Sequence, residues 1–296
     1  MSASSDYSAD DSLSDDSKNS LKSNATVLVA GATGGVGQLV VADLVTAGYP
    51  RVRVLTRSAD KAQKTFGDHV EIAIGDIREP STLTSATQDI THIVCATGTT
   101  ALPTDRWDFK ISLGDNPIAQ AATWARIYLD ADFRNANALN TPEAVDALGV
   151  SNLVQAAPKN LRRFAFVSSC GVTRKEEFPY SLLNAFGVLE AKGKGETAIL
   201  RAGLPYTILR PGQLTDGPYT SRDFNSLVQA STDGKLGVVV AAGDTLNGQT
   251  SRIDVAAACV ACLESAAAKN KAFELVSKGD RPAKIDWETL FANASA

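Results

Sequence analysis

A glycine-rich turn between an apolar run and an amphipathic stretch constrains this chain more than any other feature. Residues 26–30 are small or β-branched apart from one leucine, which is typical of a buried parallel strand, and a turn with the sequence GATGGVG follows at residues 31–37. Apolar residues then recur at helical spacing until Gly48. Glycines leave the free N–H groups of such a helix open to an anion. The sequence therefore predicts a strand, turn and helix that bind a dinucleotide pyrophosphate.

The glycines are spaced GxxGxxG, one residue longer than the GxGxxG fingerprint, so the interpretation depends on the surrounding pattern. A second predicted strand at 52–56 supplies that pattern, because it continues a βαβ unit. The alternative, a tight turn without a ligand, stays open at this point. The candidate cofactor-binding residues of the turn are Gly31, Thr33, Gly34, Gly35, Val36 and Gly37.

The end of the second strand bears on which dinucleotide binds. An acidic residue about 20 positions after the glycines accepts the ribose 2'-hydroxyl of NAD, whereas an arginine accommodates the 2'-phosphate of NADP. This chain has Arg57 there and no Asp or Glu between Leu55 and Ser58. The sequence thus favours NADP, with NAD as the less favoured cofactor and a solvated surface charge as the alternative for Arg57.

Composition predicts one folded unit preceded by a tail. The chain has 296 residues, 44% of them hydrophobic, enough for a doubly wound α/β domain over 25–296. Residues 1–24 contain nine serines and five aspartates and are predicted to be a disordered acidic tail. The tail has neither the apolar core of a secretory signal nor the basic character of a transit peptide, so a cytoplasmic location is expected, without excluding a plastid. The formal net charge of −4 gives no indication of nucleic-acid binding.

Neither the cysteines nor the histidines predict a metal site. Cys259 and Cys262 have CxxC spacing but lie in an alanine-rich helical pattern with no second pair, which favours buried small residues. His69 and His92 lie at predicted strand starts, opposite the edge where ligands bind. No apolar run reaches about 18 residues, so no membrane span is predicted.

Alternating helix and strand patterns continue along the chain, with helices predicted near 59–66 and at 142–157. They predict a Rossmann-type sheet with a small cap on the substrate side after Gly212. Between about residues 98 and 140 the alternation stops, and aromatic residues are scattered among Asp, Asn and Pro. That segment is too long for a plain connection, so it is predicted to be an insertion over the cofactor end. Ligands bind at the carboxyl ends of parallel strands. The residues at those predicted ends are Asp76, Ile77, Ala96, Thr97, Gly98, Ser168, Ser169, Arg210, Pro211 and Gly212.

Several motifs in order give the chain a family resemblance. They are the glycine turn, Gly75-Asp76-Ile77, Val167-Ser168-Ser169, a helix with Lys192 and Glu196, the segment 204–212 and the segment 251–256. Together they resemble the atypical short-chain dehydrogenases/reductases, in particular the NAD(P)-binding, NmrA-like branch that includes biliverdin and flavin reductases. The resemblance covers roughly residues 25 to 296.

The resemblance implies NADP(H) bound across the strand ends. It implies Gly31, Thr33, Gly34 and Val36 at the pyrophosphate and Arg57 at the 2'-phosphate. It further implies Asp76 and Ile77 at the adenine, Ala96 to Gly98 beside a ribose, and Lys192 with Pro211 and Gly212 near the nicotinamide.

One departure from the family concerns catalysis. Many of its members use a tyrosine four residues before a lysine, but this sequence contains no YxxxK, and Tyr180 precedes Lys192 by twelve residues. The candidate catalytic residues are Lys192, Ser169 and Tyr180. The alternatives are an exposed lysine, serines that cap the strand end and a packed tyrosine.

Three functions are consistent with these patterns. The first is an NADPH-dependent oxidoreductase that transfers hydride to a small planar acceptor such as a quinone, flavin or enone. The second is a non-catalytic NADP(H)-binding sensor or scaffold, with a protein partner. A nucleotide-sugar epimerase or dehydratase comes third, because such enzymes depend on the missing YxxxK.

Overall fold

A mostly parallel β-sheet organises the protein. The computed structural model describes residues 22–216, 223–232 and 236–295, within which eight strands form one sheet in the order β3-β2-β1-β4-β5-β6-β10-β8. Strand β8 runs antiparallel to β10, and the other neighbouring pairs are parallel. The strands are β1 Thr26–Ala30, β2 Arg51–Thr56, β3 Glu71–Ile74, β4 His92–Cys95, β5 Arg163–Val167, β6 Tyr206–Pro211, β8 Val238–Ala242 and β10 Lys271–Ser277. A separate parallel pair joins β7 Gln213–Thr215 and β9 Gln249–Ser251.

Helices cover both faces of the sheet. The α-helices are α1 Gly37–Thr46, α2 Ala59–Phe66, α3 Leu83–Ala86, α4 Pro117–Leu129, α5 Ala131–Asn137, α6 Val150–Ala156, α7 Tyr180–Leu183, α8 Val188–Arg201, α9 Phe224–Val228, α10 Arg252–Ala261 and α11 Trp287–Ser295. Short 3-10 turns lie at Gly67–His69, Pro80–Thr82 and Asn184–Phe186. A π-helical stretch, Glu143–Gly149, leads directly into α6.

The alternation of side chains along β1 builds two apolar cores. Val27 and Val29 belong to the core beneath α1 and α10, whereas Leu28 and Ala30 belong to the core beneath α6 and α8. All four side chains are fully buried. A strand buried on both faces is continuously apolar, which is why residues 26–30 could be recognised in the sequence.

The predicted Rossmann-type α/β fold is confirmed, including the bounds of β1. Residues after Gly212, predicted to form a cap, also contribute β8 and β10 to the main sheet. The region 98–140 contains the helices α4 and α5, and a single antiparallel bridge pairs Phe109 with Ala138. Of the predicted acidic tail 1–24, residues 1–21 lie outside the described residues.

The strand order places a crevice where ligands bind in folds of this kind. Successive strands step one way from β1 to β3 and the other way from β4 to β6, so the order reverses between β1 and β4. The turn after β1 and the loop after β4 therefore diverge at the carboxyl edge, which is the binding position in open α/β sheets.

Candidate functional site

At Gly31 the glycine turn lies against the loop after β4 with no room for a side chain. A Cβ on Gly31 would lie 2.7 Å from the main chain of Ala96 and Thr97, and its φ of +79° is one that L side chains rarely adopt. A Cβ on Gly37 would lie 2.1 Å from the carbonyl oxygen of Gly31. These two glycines are required by the close approach of backbones.

Helix α1 begins at Gly37 without a side-chain cap. Within the described part of the chain, the backbone N–H groups of Gly35 and Val36 have no acceptor, whereas that of Gly34 donates to the carbonyl of Gly31. Unpaired N–H groups at a helix start attract anions. The turn thus has donors for a pyrophosphate.

Gln38 stabilises this turn and was missed by the sequence analysis. Its side chain is fully buried, and its Nε2 donates to the carbonyl of Thr33 at 3.0 Å. A polar residue one position after the last glycine, within an apolar helix face, was the available signal.

Arg57 lies after β2 as predicted, but it is paired with an acid of the 98–140 insertion. Its Nη1 is 3.1 Å from Oδ2 of Asp108, and the two side chains are 59% and 47% exposed. Because both are solvated, the pair stabilises the fold little. Asp108 was not identified from the sequence.

Asp76 follows β3 and is held by Arg78. Nε of Arg78 donates to both carboxylate oxygens at 3.0 Å, and its Nη1 donates to the carbonyl of Leu139 at 2.9 Å. Partial burial raises the pKa of Asp76, but the hydrogen bonds from Arg78 outweigh this and hold it below its usual value. Ile77 is buried, and a Cβ on Gly149 would lie 2.7 Å from its Cδ1, so Ile77 packs against the π-helical stretch.

Lys192 is a buried cross-link rather than an exposed helix lysine. Its Nζ donates to the carbonyl oxygens of Thr97 and Val167 at 3.0 and 2.9 Å. It also lies 2.8 Å from Oδ1 of Asp146, which is fully buried in the π-helical stretch. Oδ2 of Asp146 in turn accepts from the backbone and hydroxyl of Thr99. One ammonium group therefore fixes the loops after β4 and β5, and Gly98 leaves 3.3 Å between its ideal Cβ position and Nζ.

The two serines after β5 have different surroundings. The Ser168 hydroxyl is buried and donates to Oε1 of Glu196 at 2.6 Å, and Arg210 binds the same carboxylate through Nε and Nη2. The Ser169 hydroxyl is half-buried and donates only to the carbonyl of Cys170 at 3.0 Å. Ser168 donates to a buried carboxylate within a network, whereas Ser169 donates only to a neighbouring main-chain carbonyl.

Tyr180 is packed, as the alternative interpretation held. Its ring lies against Gly171, where a Cβ would be 2.0 Å from Cδ1. Its hydroxyl donates to Oδ1 of Asn247 at 2.5 Å, and Arg174 donates to that hydroxyl at 3.3 Å. Burial raises the pKa of the phenol. No hydrogen bond joins any two of Tyr180, Ser169 and Lys192, all of which are described.

Pro211 and Gly212 lie at the end of β6, where the chain packs closely against the segment 248–250. The backbone N–H of Gly212 bonds to the Leu275 carbonyl and the Thr250 hydroxyl, and a Cβ there would lie 2.3 Å from the carbonyl oxygen of Gly248. The close approach of residues 212 and 248 therefore requires glycine at position 212.

A buried acidic cluster lies near Arg174. Ligand-type atoms of Cys170, Asp244 and Glu274 lie within 4.8 Å of one another. Backbone N–H groups and Arg174 bond to the two carboxylates, and the Cys170 thiol donates to the carbonyl of Arg210. Burial raises the pKa of Cys170 to about 12, so the sulfur stays a thiol. These contacts give the cluster a structural role.

The two CxxC cysteines lie in the core, and His92 lies away from the crevice. Cys259 and Cys262 are fully buried, and burial raises the pKa of both thiols. Nε2 of His92 lies 3.3 Å from Oε1 of Glu264, at the edge of the sheet opposite the crevice. None of the helices in the described ranges is long and apolar enough to cross a bilayer.

Known proteins are similar to this chain over most of its length. A family model described as NAD(P)H-binding matches residues 31–266. Sanguinarine reductase of Eschscholzia californica is 32% identical over 282 residues, covering 91% of this chain and 96% of that protein. A chloroplastic protein of Arabidopsis thaliana is 31% identical over 275 residues, covering 91% of this chain and 75% of the other. The solved structure of ChuY, an anaerobillin reductase from Escherichia coli O157:H7, shares the fold with a TM-score of 0.60 at 21% identity, covering 88% and 100% of the two chains.

Three features together fit a dinucleotide. They are the closely packed Gly31 and Gly37, called the glycine cradle below, the free N–H groups of Gly35 and Val36, and Arg57 after β2. The matched family model spans most of the chain, including all of these residues. The chain therefore belongs to the NAD(P)H-binding family of reductase type, in agreement with its resemblance to the NmrA-like short-chain dehydrogenases/reductases.

Proposed function

We propose that this protein is an NADPH-dependent reductase that transfers hydride to a small planar acceptor of the quinone, flavin or enone class. The observation that carries the proposal is the glycine turn, where a Cβ on Gly31 or Gly37 would lie 2.7 or 2.1 Å from the main chain and the N–H groups of Gly35 and Val36 have no acceptor among the described residues. NADPH supplies the hydride when bound.

Named residues of the chain bind and orient the cofactor. The N–H groups of Gly35 and Val36 donate to the pyrophosphate, and the guanidinium of Arg57 binds the 2'-phosphate. Asp76 and Ile77 adjoin the adenine, while Ala96, Thr97 and Gly98 adjoin a ribose. Lys192 acts through other groups: by binding the carbonyls of Thr97 and Val167 it sets the width of the crevice.

The catalytic roles predicted for Lys192, Ser169 and Tyr180 stay predictions, and their contacts favour Ser169. The donors of Lys192 and the hydroxyl of Tyr180 already have protein partners. The half-buried Ser169 hydroxyl can exchange its bond to a neighbouring carbonyl for a bond to substrate. Water or Ser169 then supplies the proton that accompanies hydride transfer. Pro211 and Gly212 border the nicotinamide end of the crevice.

The choice of cofactor is tested by removing Arg57. We expect Arg57→Ala to weaken NADPH binding by about 1.5 to 3 kcal/mol, because a charge-assisted hydrogen bond is lost, and to leave NADH binding nearly unchanged. Isothermal calorimetry with each nucleotide measures both affinities.

Arg51 provides the matched control for this experiment. It is an exposed arginine at the other end of the same strand, so Arg51→Ala removes an equal charge far from the crevice. Equal losses of NADPH and NADH affinity in Arg57→Ala would remove Arg57 from the 2'-phosphate. NADPH oxidation no faster than without protein, across quinone, flavin and enone acceptors, would refute the reductase.

A second candidate function is a non-catalytic NADP(H)-binding sensor or scaffold with a protein partner. The occupied donors of Lys192 and Tyr180 favour it, since they leave few groups free for acid–base chemistry. Tight NADPH binding without oxidation by any acceptor in the same panel would support this function over the reductase.

The small-molecule substrate and the cytoplasmic location also stay predictions. Several relatives carry the word chloroplastic in their names, so a plastid is the competing location. Imaging of a fluorescent fusion of the full chain separates the two.

A further inference from the structure

Four charged side chains meet beside the end of β2, on the ribose side of the crevice. Arg57 pairs with Asp108 at 3.1 Å, and Arg78 pairs with Asp76. The two pairs also influence one another, because Arg57 lowers the pKa of Asp76 and Asp108 raises that of Arg78. The four charges sum to zero, so the corner is not simply basic.

Asp108 is held in place by the backbone of the insertion. Its N–H donates to Oδ1 of Asn140 at 2.7 Å, and its carbonyl accepts from the N–H of Leu139 at 2.8 Å. Nδ2 of Asn140 donates back to the carbonyl of Arg106. The carboxylate is therefore solvated, while the main chain that carries it is fixed.

The neighbours of Asp108 strengthen that placement. Trp107 is almost fully buried, and its Nε1 donates to the hydroxyl of Thr100 at 3.0 Å. Phe109 pairs with Ala138 in an antiparallel bridge. Arg78 reaches the carbonyl of Leu139, which ties the insertion to the loop after β3. The acid is thus positioned by the fold rather than by its contact with Arg57.

An acid at this point acts oppositely on the two cofactors. A carboxylate accepts a hydrogen bond from a ribose 2'-hydroxyl, the role that an acid at the end of β2 has in NAD-binding folds. The same carboxylate repels a 2'-phosphate and neutralises the guanidinium that would bind it. This chain has no acid at the end of β2, and Asp108 brings one there from about 50 residues away.

We propose that Asp108 is a cofactor-selecting residue that favours NAD(H) and limits the preference for NADP(H) set by Arg57. This inference rests on the proposed cofactor site. The insertion then contributes to the choice between NAD(H) and NADP(H) at the end of β2, where the local sequence points to Arg57 alone.

Calorimetric titration of Asp108→Asn with NADPH and NADH tests the inference. Asparagine keeps the size of the side chain and removes the charge, so we expect NADPH to bind about fivefold more tightly and NADH about threefold more weakly. The ratio of the two dissociation constants therefore shifts by about fifteenfold toward NADPH. The shift is expected to be larger at low ionic strength, because the groups are solvent-exposed.

Asp105→Asn is the matched control, since it removes an exposed carboxylate three residues earlier in the same segment. An unchanged ratio in Asp108→Asn, within about twofold, would overturn the inference while leaving the cofactor site intact. An equal shift in Asp105→Asn would also overturn it, because the effect would then be one of general charge. Failure of the wild type to bind either nucleotide would refute the proposed function itself, and this inference with it.

Discussion

The two halves of the carboxyl edge of the sheet differ in whether their polar groups already have hydrogen-bond partners within the protein. Around β1, β2 and β4, the N–H groups of Gly35 and Val36 have no acceptor among the described residues, and Arg57 is more than half exposed. Around β5, β6 and β10, buried polar side chains already have partners within the protein. Ser168 and the half-buried Arg210 bind Glu196, while Asp244 and Glu274 bind backbone N–H groups and Arg174.

The difference indicates what each half can contribute to function. Unpaired donors in an open crevice can bind a ligand with little rearrangement, because no internal hydrogen bond has to break first. Saturated buried networks fix the shape of a pocket, and removing one member costs stability. Lys192 belongs to a saturated buried network, although it lies beside the open crevice.

Loss of the Lys192 cross-link is the strongest way to disturb the boundary between the two halves. We expect Lys192→Met to lower the free energy of unfolding by about 3 to 5 kcal/mol, because Asp146 is left buried without its cation. Urea unfolding followed by circular dichroism measures the change.

The control is Lys194→Met, on the same helix. Lys194 is half exposed and pairs with Glu143 and Glu190, so its loss is expected to cost under about 1 kcal/mol. Similar losses in the two variants would show that Lys192 is not a buried cross-link.

The glycine cradle can be broken at Gly31. We expect Gly31→Ala to lose about 3 kcal/mol of unfolding free energy, since a left-handed residue gains a Cβ that meets the main chain of Ala96 and Thr97. Nucleotide binding by the folded fraction is expected to disappear. Thermal unfolding and calorimetry give the two readouts.

Gly48→Ala is the matched control, because Gly48 also has a positive φ, +77°, but open space around its Cβ position. It is expected to lose about 1 kcal/mol and to keep nucleotide binding. Retained binding in Gly31→Ala would contradict the close approach of the turn to the loop after β4.

Asp43, on the helix that starts at the glycine turn, is expected to make stability depend on pH. Burial raises the pKa of its carboxyl from 3.8 to about 7. A raised pKa in the folded state stabilises at low pH, and this stability is lost as the pH rises through about 7. We expect Asp43→Asn to be more stable than wild type by about 2 kcal/mol at pH 8, since partial exposure reduces the full effect.

Chemical unfolding at pH 5 and pH 8 measures this difference. The gain at pH 5 is expected to be smaller, because the wild-type carboxyl is then largely protonated. A gain of the same size at both values would assign the effect to something other than ionisation. Asp60→Asn, on the exposed start of α2, is the control, because it removes the same charge from the surface.

The smallest expected effect compares the two serines after β5. Ser168→Ala is expected to lose about 1 to 2 kcal/mol of stability, because buried Glu196 loses a donor, and to leave NADPH affinity unchanged. Ser169→Ala is expected to lose under about 0.5 kcal/mol. A larger loss in Ser169→Ala would reverse the assignment of Ser168 to the saturated network.

Local patterns were sufficient for much of the fold. The bounds of β1 and of α2 at 59–66 were predicted as observed, because each is a short segment with a single buried face or a continuous apolar run. The predicted helix at 142–157 became a π-helical stretch followed by α6, an irregularity that places Asp146 against Lys192. No propensity marks such a change, since it depends on a partner 46 residues away.

By itself the sequence determined the doubly wound sheet, the glycine turn and the cofactor class, because the period of apolar residues and the absence of side chains at 31 and 37 act over a few residues. Only the tertiary structure decided the partners of the charged groups: Asp108 for Arg57, Arg78 for Asp76, Asp146 for Lys192 and Glu196 for Ser168. Apart from Asp76 and Arg78, these partners are separated by 28 to 51 residues. Electrostatic pairing depends on distance in space, which the order of residues along the chain does not specify.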